Sequence, residues 1–388
     1  RKVRSIGEKV GKVGQTSGIV PFIKVLDSLT LAISQGSLRR GSAACYLPIN
    51  HPEIEEFIEM RRPTGGDPNR KALNLHHGVV VTDDFMKAVE NDGEWDLISP
   101  NDDSVQKTIS ARNLWIRLLT ARIETGEPYI IFIDTVNKAI PEWHKKEGLT
   151  VKTSNLCSEI TLPTNDKRTA VCCLSSINVE KYDEWNKDPQ FIEDIMLFLD
   201  NVLSDFINNA PEDFKKAIYS AERERSVGLG VMGFHSFLQQ KNLSMEGVLA
   251  KVWNTRIFTD LKEKVDASSR KIALDRGPCL DAVKTGEMER FSNKMAIAPT
   301  ASISIICGGT SPGIEPIAAN SFTHKTLSGS FNVRNKYLEE VLDKYGKNDE
   351  EIWSSITTNQ GSVQHLNFLD EQEKSTFKTA FEIDQRWI

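Results

Sequence analysis

Two patterns of apolar residues alternate along the chain. In one, apolar positions recur every three to four residues, as on a helix with one buried face; in the other they form short, nearly unbroken runs, as in strands covered on both sides. Helical spacing is found over residues 19–33, 53–62, 104–125, 190–207, 211–225, 248–276, 334–345 and 372–386. Residues 104–125 carry it through Ile109, Leu114, Ile116, Leu118, Leu119 and Ile123 and stop at Gly126, a helix-ending residue. Strand-type character is found at 75–82 and 169–178, and 45–49 is a short apolar run. The run Pro128-Tyr129-Ile130-Ile131-Phe132-Ile133 is expected to be buried on both faces. Helix followed by strand, repeated, predicts an α/β architecture. No internal repeat or low-complexity segment interrupts it.

Length and composition narrow the picture. With 388 residues and 39% hydrophobic content the chain can bury a sizeable core, and one large domain spanning residues 1–388 is expected. A net charge of −6 gives no overall basic bias towards nucleic acid. No apolar run is long enough to span a membrane. The chain starts at Arg1 without Met or a signal-peptide core, which reads as the interior of a longer polypeptide or a trimmed end. Six irregularly spaced cysteines are not a secreted disulfide framework, and a reducing cytoplasm fits them.

The chemistry concentrates in Ser154-Asn155-Leu156-Cys157-Ser158-Glu159-Ile160. If this segment is extended, Asn155, Cys157 and Glu159 point the same way, placing a carboxamide, a thiol and a carboxylate in one site. The plain alternative is a small buried cysteine with Glu159 in solvent. Further along, 169–178 carries Cys172 and Cys173, adjacent residues that must face opposite sides of a strand. Two Gly-rich basic loops, 1–18 and 34–44, can hold phosphates or be ordinary solvated loops. A helix starting near Thr300, after Met295-Ala296-Ile297-Ala298-Pro299, would offer unpaired amides to a phosphate, or would simply be capped by Thr300 or Ser302. Gly228-Leu229-Gly230-Val231-Met232-Gly233 has the spacing of a dinucleotide fingerprint but follows a charged helical stretch, Glu222 to Arg225, where the fingerprint requires a strand. His76-His77 lacks a second ligand pair, and no metal site is assigned.

Asn-Leu-Cys-Ser-Glu-Ile followed by Cys-Cys-Leu-Ser-Ser resembles the signature of the ribonucleotide reductase large (alpha) subunit, and the resemblance runs from Arg1 to Ile388. It implies part of a ten-stranded α/β barrel of the ribonucleotide reductase and glycyl radical enzyme type, incomplete in this chain. It also implies thiyl-radical reduction of ribonucleoside diphosphates to 2'-deoxyribonucleotides. By resemblance, Cys157 forms the thiyl radical on a loop tip, Glu159 is the general base, Asn155 holds the sugar hydroxyls and Cys172 is one reducing thiol, with Cys173 structural. Ser154, Pro299, Thr300, Ala301, Ser302 and Ile303 then bind substrate, the last five around its diphosphate. Arg4, Ser34, Gln35, Gly36 and Arg39 belong to an allosteric specificity site for ATP, dATP, dTTP or dGTP, formed at an alpha homodimer interface. Arg4 contacts effector phosphate and Arg39 faces substrate.

The resemblance further implies a radical from a metal-containing beta subunit, thioredoxin or glutaredoxin as reductant, and no cofactor bound by this chain. The second reducing cysteine, the radical-passing tyrosine pair and the tail thiols of the family do not occur here, so the remaining alpha segments are implied as partners. Class I is favoured over an adenosylcobalamin-dependent class II enzyme because the motif reads Asn-Leu-Cys-Ser-Glu rather than Asn-Pro-Cys-Gly-Glu. The competing readings are a non-catalytic nucleotide-binding regulatory module and, last, a dehydrogenase built on Gly228 to Gly233.

Overall fold

Three apolar segments of the first half of the chain become neighbours in one parallel sheet. The structure is a computed structural model that describes residues 3–34, 40–326 and 329–387. It divides into two units, Arg1–Asp166 and Lys167–Ile388. The first opens with a small hairpin of β1 (Lys9–Val10) and β2 (Gly14–Gln15), then α1 (Val20–Ala32), β3 (Ala44–Pro48), α2 (Ile54–Glu59), β4 (His76–Val81) and α3 (Asp83–Glu90). An antiparallel pair, β5 (Glu94–Ile98) and β6 (Val105–Ser110), leads to α4 (Ala111–Thr125), β7 (Tyr129–Phe132), α5 (Ile133–Ala139) and α6 (Glu142–Lys146). The parallel sheet has the order β3-β4-β7. Ile54, Phe57, Val79, Val81, Phe85, Leu114 and Leu118 form its core, each almost fully buried. At about 1.5–3 kcal/mol per buried large apolar side chain, this packing is what holds the helices on the sheet.

Two expectations for this unit are corrected. The predicted helix 104–125 is a strand followed by a helix: β6 pairs with β5, and Ser110 then caps α4 by accepting the Asn113 N–H at 3.3 Å. Ile109 falls on the helical period by coincidence, while the β-branched Val105, Thr108 and Ile109 favour the strand. The run 128–133 is not covered on both faces. Ile131 is buried but Phe132 is 44% exposed, because β7 has a single strand neighbour among the described residues.

The second unit runs through β8 (Leu174–Asn178), α7 (Tyr182–Trp185), α8 (Phe191–Asn209), α9 (Lys215–Glu224), β9 (Gly228–Met232), α10 (Phe234–Gln240), α11 (Val248–Arg276) and α12 (Leu280–Val283). Then come α13 (Ile303–Ile306), the antiparallel pair β10 (Ser321–Thr326) and β11 (Gly329–Arg334), α14 (Lys336–Lys344), α15 (Glu350–Thr358) and α16 (Glu371–Thr376). β8 and β9 are parallel, and Met295 bridges to Leu229 on the far side of β9 in the same direction. Side chains on Gly228 or Gly230 would collide with Ala296, so these glycines let the chain leading to Pro299 lie flat against β9. The fingerprint-like spacing is therefore a packing device. Buried Asp200 on α8 binds Arg225, Arg276 and Arg290, fastening α8, α11 and the flanks of β9 together. The predicted helix 372–386 ends early: α16 starts with a capping box between Asp370 and Glu373 and stops at Thr376, after which the Thr379 N–H turns onto the Glu382 carboxylate at 2.8 Å. Among the described residues no helix is long and apolar enough to cross a membrane.

Two histidines are sealed in these cores. His77 on β4 lies edge-on against Phe57 with 5.0 Å between ring centroids, and no hydrogen-bond partner reaches its ring nitrogens among the described residues. His235 on α10 accepts the Ile317 N–H at Nδ1, 3.1 Å away. Burial pulls both down to about 4. The unfolded chain, with histidines near 6.5, binds protons first as pH falls. The two histidines' contribution to stability is therefore expected to be full above pH ~6.5 and to fall by up to about 1.4 kcal/mol per pH unit per histidine between ~6.5 and ~4, partly offset by Glu224, whose carboxyl burial pushes up to about 7. Denaturant melts across this range check it, and His77→Gln should reduce the slope.

Candidate active site

The segment expected to be extended is instead a tight turn. Leu156 and Cys157 occupy its tip, and Ser158 follows in the left-handed region at φ 70°. The Ser158 N–H returns to the Asn155 carbonyl at 3.3 Å. Asn155 and Glu159 meet because the chain reverses between them, and not through strand alternation as the sequence suggested. The Asn155 amide donates to Glu159 Oε2 at 2.8 Å, and its Oδ1 accepts the Ile160 N–H at 3.0 Å. Ser154 donates its hydroxyl to the Ile160 carbonyl at 2.7 Å. A non-glycine residue in the left-handed region costs about 1–2 kcal/mol, and these bonds from Ser154 and Asn155 offset it.

The result is a turn that exposes Cys157, flanked in the chain by a hydrogen-bonded carboxamide and carboxylate. Partial desolvation and, second, the Glu159 carboxylate push the Cys157 thiol up. The sulfur therefore stays protonated at neutral pH, the form that carries a hydrogen atom to lose. From the sheet, Tyr46 on β3 donates its hydroxyl to the Asn155 carbonyl at 3.2 Å. Sequence reading passed over Tyr46 because it sits in an ordinary apolar run; its one signal, an aromatic opposite a glycine, becomes visible only with the strand register.

The other candidates of this unit lie at its first segments. Arg4 lines a groove of about 520 Å³ with Val3, Val10, Thr16, Phe22 and Asn101, and its Nε donates to Asn101 Oδ1 at 3.0 Å. Ser34 donates to the Leu31 carbonyl at 2.9 Å and accepts the Gly41 N–H at 3.2 Å. Gln35, Gly36 and Arg39 lie outside the described residues. His76 is paired with the Glu127 carboxylate, Nδ1 to Oε1 2.6 Å.

In the second unit Cys172 and Cys173 immediately precede β8 and diverge as neighbouring extended residues should. Cys172 is exposed. Cys173 is buried with its sulfur 3.6 Å from the Leu199 carbonyl, and burial pushes its thiol up to about 11. Pro299 to Ile303 form a largely exposed turn into the short α13, entered by a bond from the Ser304 N–H to the Thr300 carbonyl at 3.0 Å. Among the described residues the amides of Ala301, Ser302 and Ile303, at and just before the helix start, have no backbone hydrogen bond. Neither hydroxyl caps α13: Thr300, at φ 53°, accepts the Gly313 N–H at 2.8 Å, and Ser302 makes no capping bond.

The chain matches the family model described as "Ribonucleotide reductase, barrel domain" over residues 1–285 and 281–388. It is 41% identical to the ribonucleoside-diphosphate reductase large subunit of Invertebrate iridescent virus 3 over 425 aligned residues, covering 95% of this chain and 67% of that protein. The putative ribonucleoside-diphosphate reductase large subunit of Frog virus 3 (isolate Goorha) is 44% identical, with 97% and 66% covered. Among solved structures, the Actinobacillus ureae class Id ribonucleotide reductase alpha subunit superposes with a TM-score of 0.81 at 35% identity, covering 96% of this chain and 65% of that one. The chain thus spans about two thirds of the length of these relatives. With family model, relatives and superposed structure all in agreement over nearly its whole length, the chain belongs to the ribonucleotide reductase family and has its mixed α/β fold.

Proposed function

We propose that this chain is the central catalytic portion of a ribonucleoside-diphosphate reductase alpha subunit, a single partial domain of a ten-stranded α/β barrel over residues 1–388. The observation that carries the proposal is the turn that exposes Cys157 in the chain between the bonded Asn155 and Glu159. The parallel strands β3-β4-β7 and β8-β9 are of the kind such a barrel contains. Cys157, once oxidised to a thiyl radical by a metal-containing beta subunit, takes the 3'-hydrogen atom of the ribose and becomes a thiol. Glu159 removes the 3'-hydroxyl proton, and the 2'-hydroxyl leaves as water after protonation. Cys172 and a second thiol outside this chain supply two electrons and two protons and close to a disulfide, which thioredoxin or glutaredoxin reopens. The hydrogen atom then returns from Cys157 to C3' and the proton from Glu159 to the 3'-oxygen, which restores the 3'-hydroxyl and both residues.

The unpaired amides of Ala301, Ser302 and Ile303, with Pro299 and Thr300, suit the diphosphate, and Ser154 and Asn155 the sugar side. The groove at Arg4, with Ser34, Gln35, Gly36 and Arg39, suits a nucleoside triphosphate effector. On α1, beside that groove, Phe22, Val25, Leu26 and Leu29 are between 48% and 65% exposed, which supports an alpha homodimer through this helix. Labelling of Cys157 by a mechanism-based 2'-substituted nucleotide separates this reading from a non-catalytic regulatory module.

In the complete subunit with its radical partner, Cys157→Ser is expected to abolish turnover with fold and nucleotide affinity retained. Residual activity within tenfold of the parent, about 1.4 kcal/mol of barrier, would remove Cys157 from the radical role. Glu159→Gln is expected to slow reduction roughly 10²- to 10⁴-fold at saturating substrate with substrate affinity unchanged; single-turnover assays decide it. Arg39→Ala should erase the effector dependence of substrate ranking, a coupling of about 1–3 kcal/mol, whereas Arg4→Ala should weaken every effector alike. Competition assays over four substrates and four effectors give both answers.

A further inference from the structure

Three residues stand in one row across the first unit's sheet: Tyr46 on β3 is opposite Gly78 on β4, and Gly78 is opposite Tyr129 on β7. Residues paired in this way share a face of the sheet. Gly78 leaves the middle of the row open, and the Tyr46 ring lies over it; any Cβ at position 78 would overlap Cδ1 and Cε1 of that ring. This lean brings the Tyr46 hydroxyl to the Asn155 carbonyl, 3.2 Å away, the same oxygen that accepts the Ser158 N–H and closes the turn. On the far side of Gly78, Tyr129 is stacked on His76, 6.2 Å between centroids at 5°, and Glu127 holds His76 Nδ1 at 2.6 Å. The row is thus fixed at both ends.

We infer that Tyr46 is a positioning residue for the cysteine turn: its hydroxyl, brought across Gly78, holds the Asn155 carbonyl and so sets where the Cys157 sulfur stands. The inference rests on the reading of Cys157 as the radical-bearing residue. A turn with Ser158 in the left-handed region does not hold itself by backbone preference alone, so an external hold matters. Hydrogen-atom transfer also tolerates little displacement, since misplacing reacting groups by about 1 Å can cost roughly 10²-fold in rate. Tyr46 is the third residue of β3, so one hydroxyl joins that strand to the cysteine turn.

The test is Tyr46→Phe in the complete alpha subunit with its radical partner, assayed with ordinary and 3'-deuterated substrate. The ring still covers Gly78 and only the hydroxyl is lost. The expected result is a kcat about tenfold lower, unchanged KM and melting temperature, and a larger 3'-deuterium isotope effect on kcat, because hydrogen abstraction becomes more rate-limiting. Gly78→Ala, which displaces the ring, should reproduce the loss, and Tyr46→Phe/Gly78→Ala should be no slower than the slower single variant. If Gly78→Ala does not fold, the single Tyr46→Phe variant decides. A kcat within twofold of the parent overturns the inference, as does a lower kcat with an unchanged isotope effect, the mark of a merely structural role. Cys157→Ser is run alongside. If it is inactive while Tyr46→Phe behaves as the parent, only the role of Tyr46 fails; if Cys157→Ser turns over, the reading of Cys157 fails and this inference with it.

Discussion

The double engagement of the Asn155 carboxamide is the constraint on which the site depends. One side-chain group donates to Glu159 and accepts from the Ile160 backbone, so the residues before and after the cysteine are tied through a single planar unit. A planar carboxamide offers donor and acceptor in fixed relation, which an aspartate or a serine at the same place would not. With both ends of the turn held, the left-handed Ser158 is tolerated and Cys157 stays exposed at the tip. The pair also leaves Glu159 an acceptor with one oxygen engaged by the amide, consistent with the proton-accepting role proposed for it.

The sheet beneath supplies the rigidity that a turn lacks. Parallel strands cannot be joined by tight hairpins, so each connection carries a helix whose apolar side must be buried on the sheet. In the first unit that burial falls on Phe57, Phe85, Leu114 and Leu118, packed around Val79 and Val81. The second unit reaches the same end with different means. Close approach at Gly228 and Gly230 brings the chain that leads to Pro299 against β9, and the Asp200 cluster of three arginines locks the helices behind it. Removing the single carboxylate would leave the largely buried Arg225 and Arg290 guanidinium groups without their shared counter-charge, a change of the kind that costs about 3–5 kcal/mol.

How much of this was legible in the sequence depended on range. Helices with long uninterrupted periodicity, such as α8 and α11, stand close to where their spacing placed them. The helix ending at Gly126 was placed correctly at its end and wrongly at its start, since the start is set by pairing of Val105–Ser110 with Glu94–Ile98, a partnership that local periodicity does not contain. Likewise Asn155, Cys157 and Glu159 were recognisable as a group through alternation, yet what joins Asn155 to Glu159 is a reversal at Ser158, and nothing about a serine announces a left-handed backbone. Membership in the reductase family was readable directly, because a motif survives as a string of residues whatever backbone carries it.

The two adjacent thiols show how one residue step divides chemistry from packing. Cys172 and Cys173 share a backbone segment and differ only in the side on which the side chain leaves it. Cys173 goes into the core formed by Ile177, Leu199 and Leu229, where burial pushes its thiol up to about 11 and makes the thiolate scarce at neutral pH. Thiol–disulfide exchange requires an accessible sulfur and some thiolate, so Cys173 is excluded by its surroundings and Cys172 is the member of the pair left in contact with solvent. A radical site needs the opposite balance. Cys157 is exposed at a turn tip but its thiol is also raised, by partial desolvation and by Glu159. A thiol raised beside a carboxylate is a poor source of thiolate, and that separates the radical role proposed for Cys157 from the exchange role proposed for Cys172 within one chain.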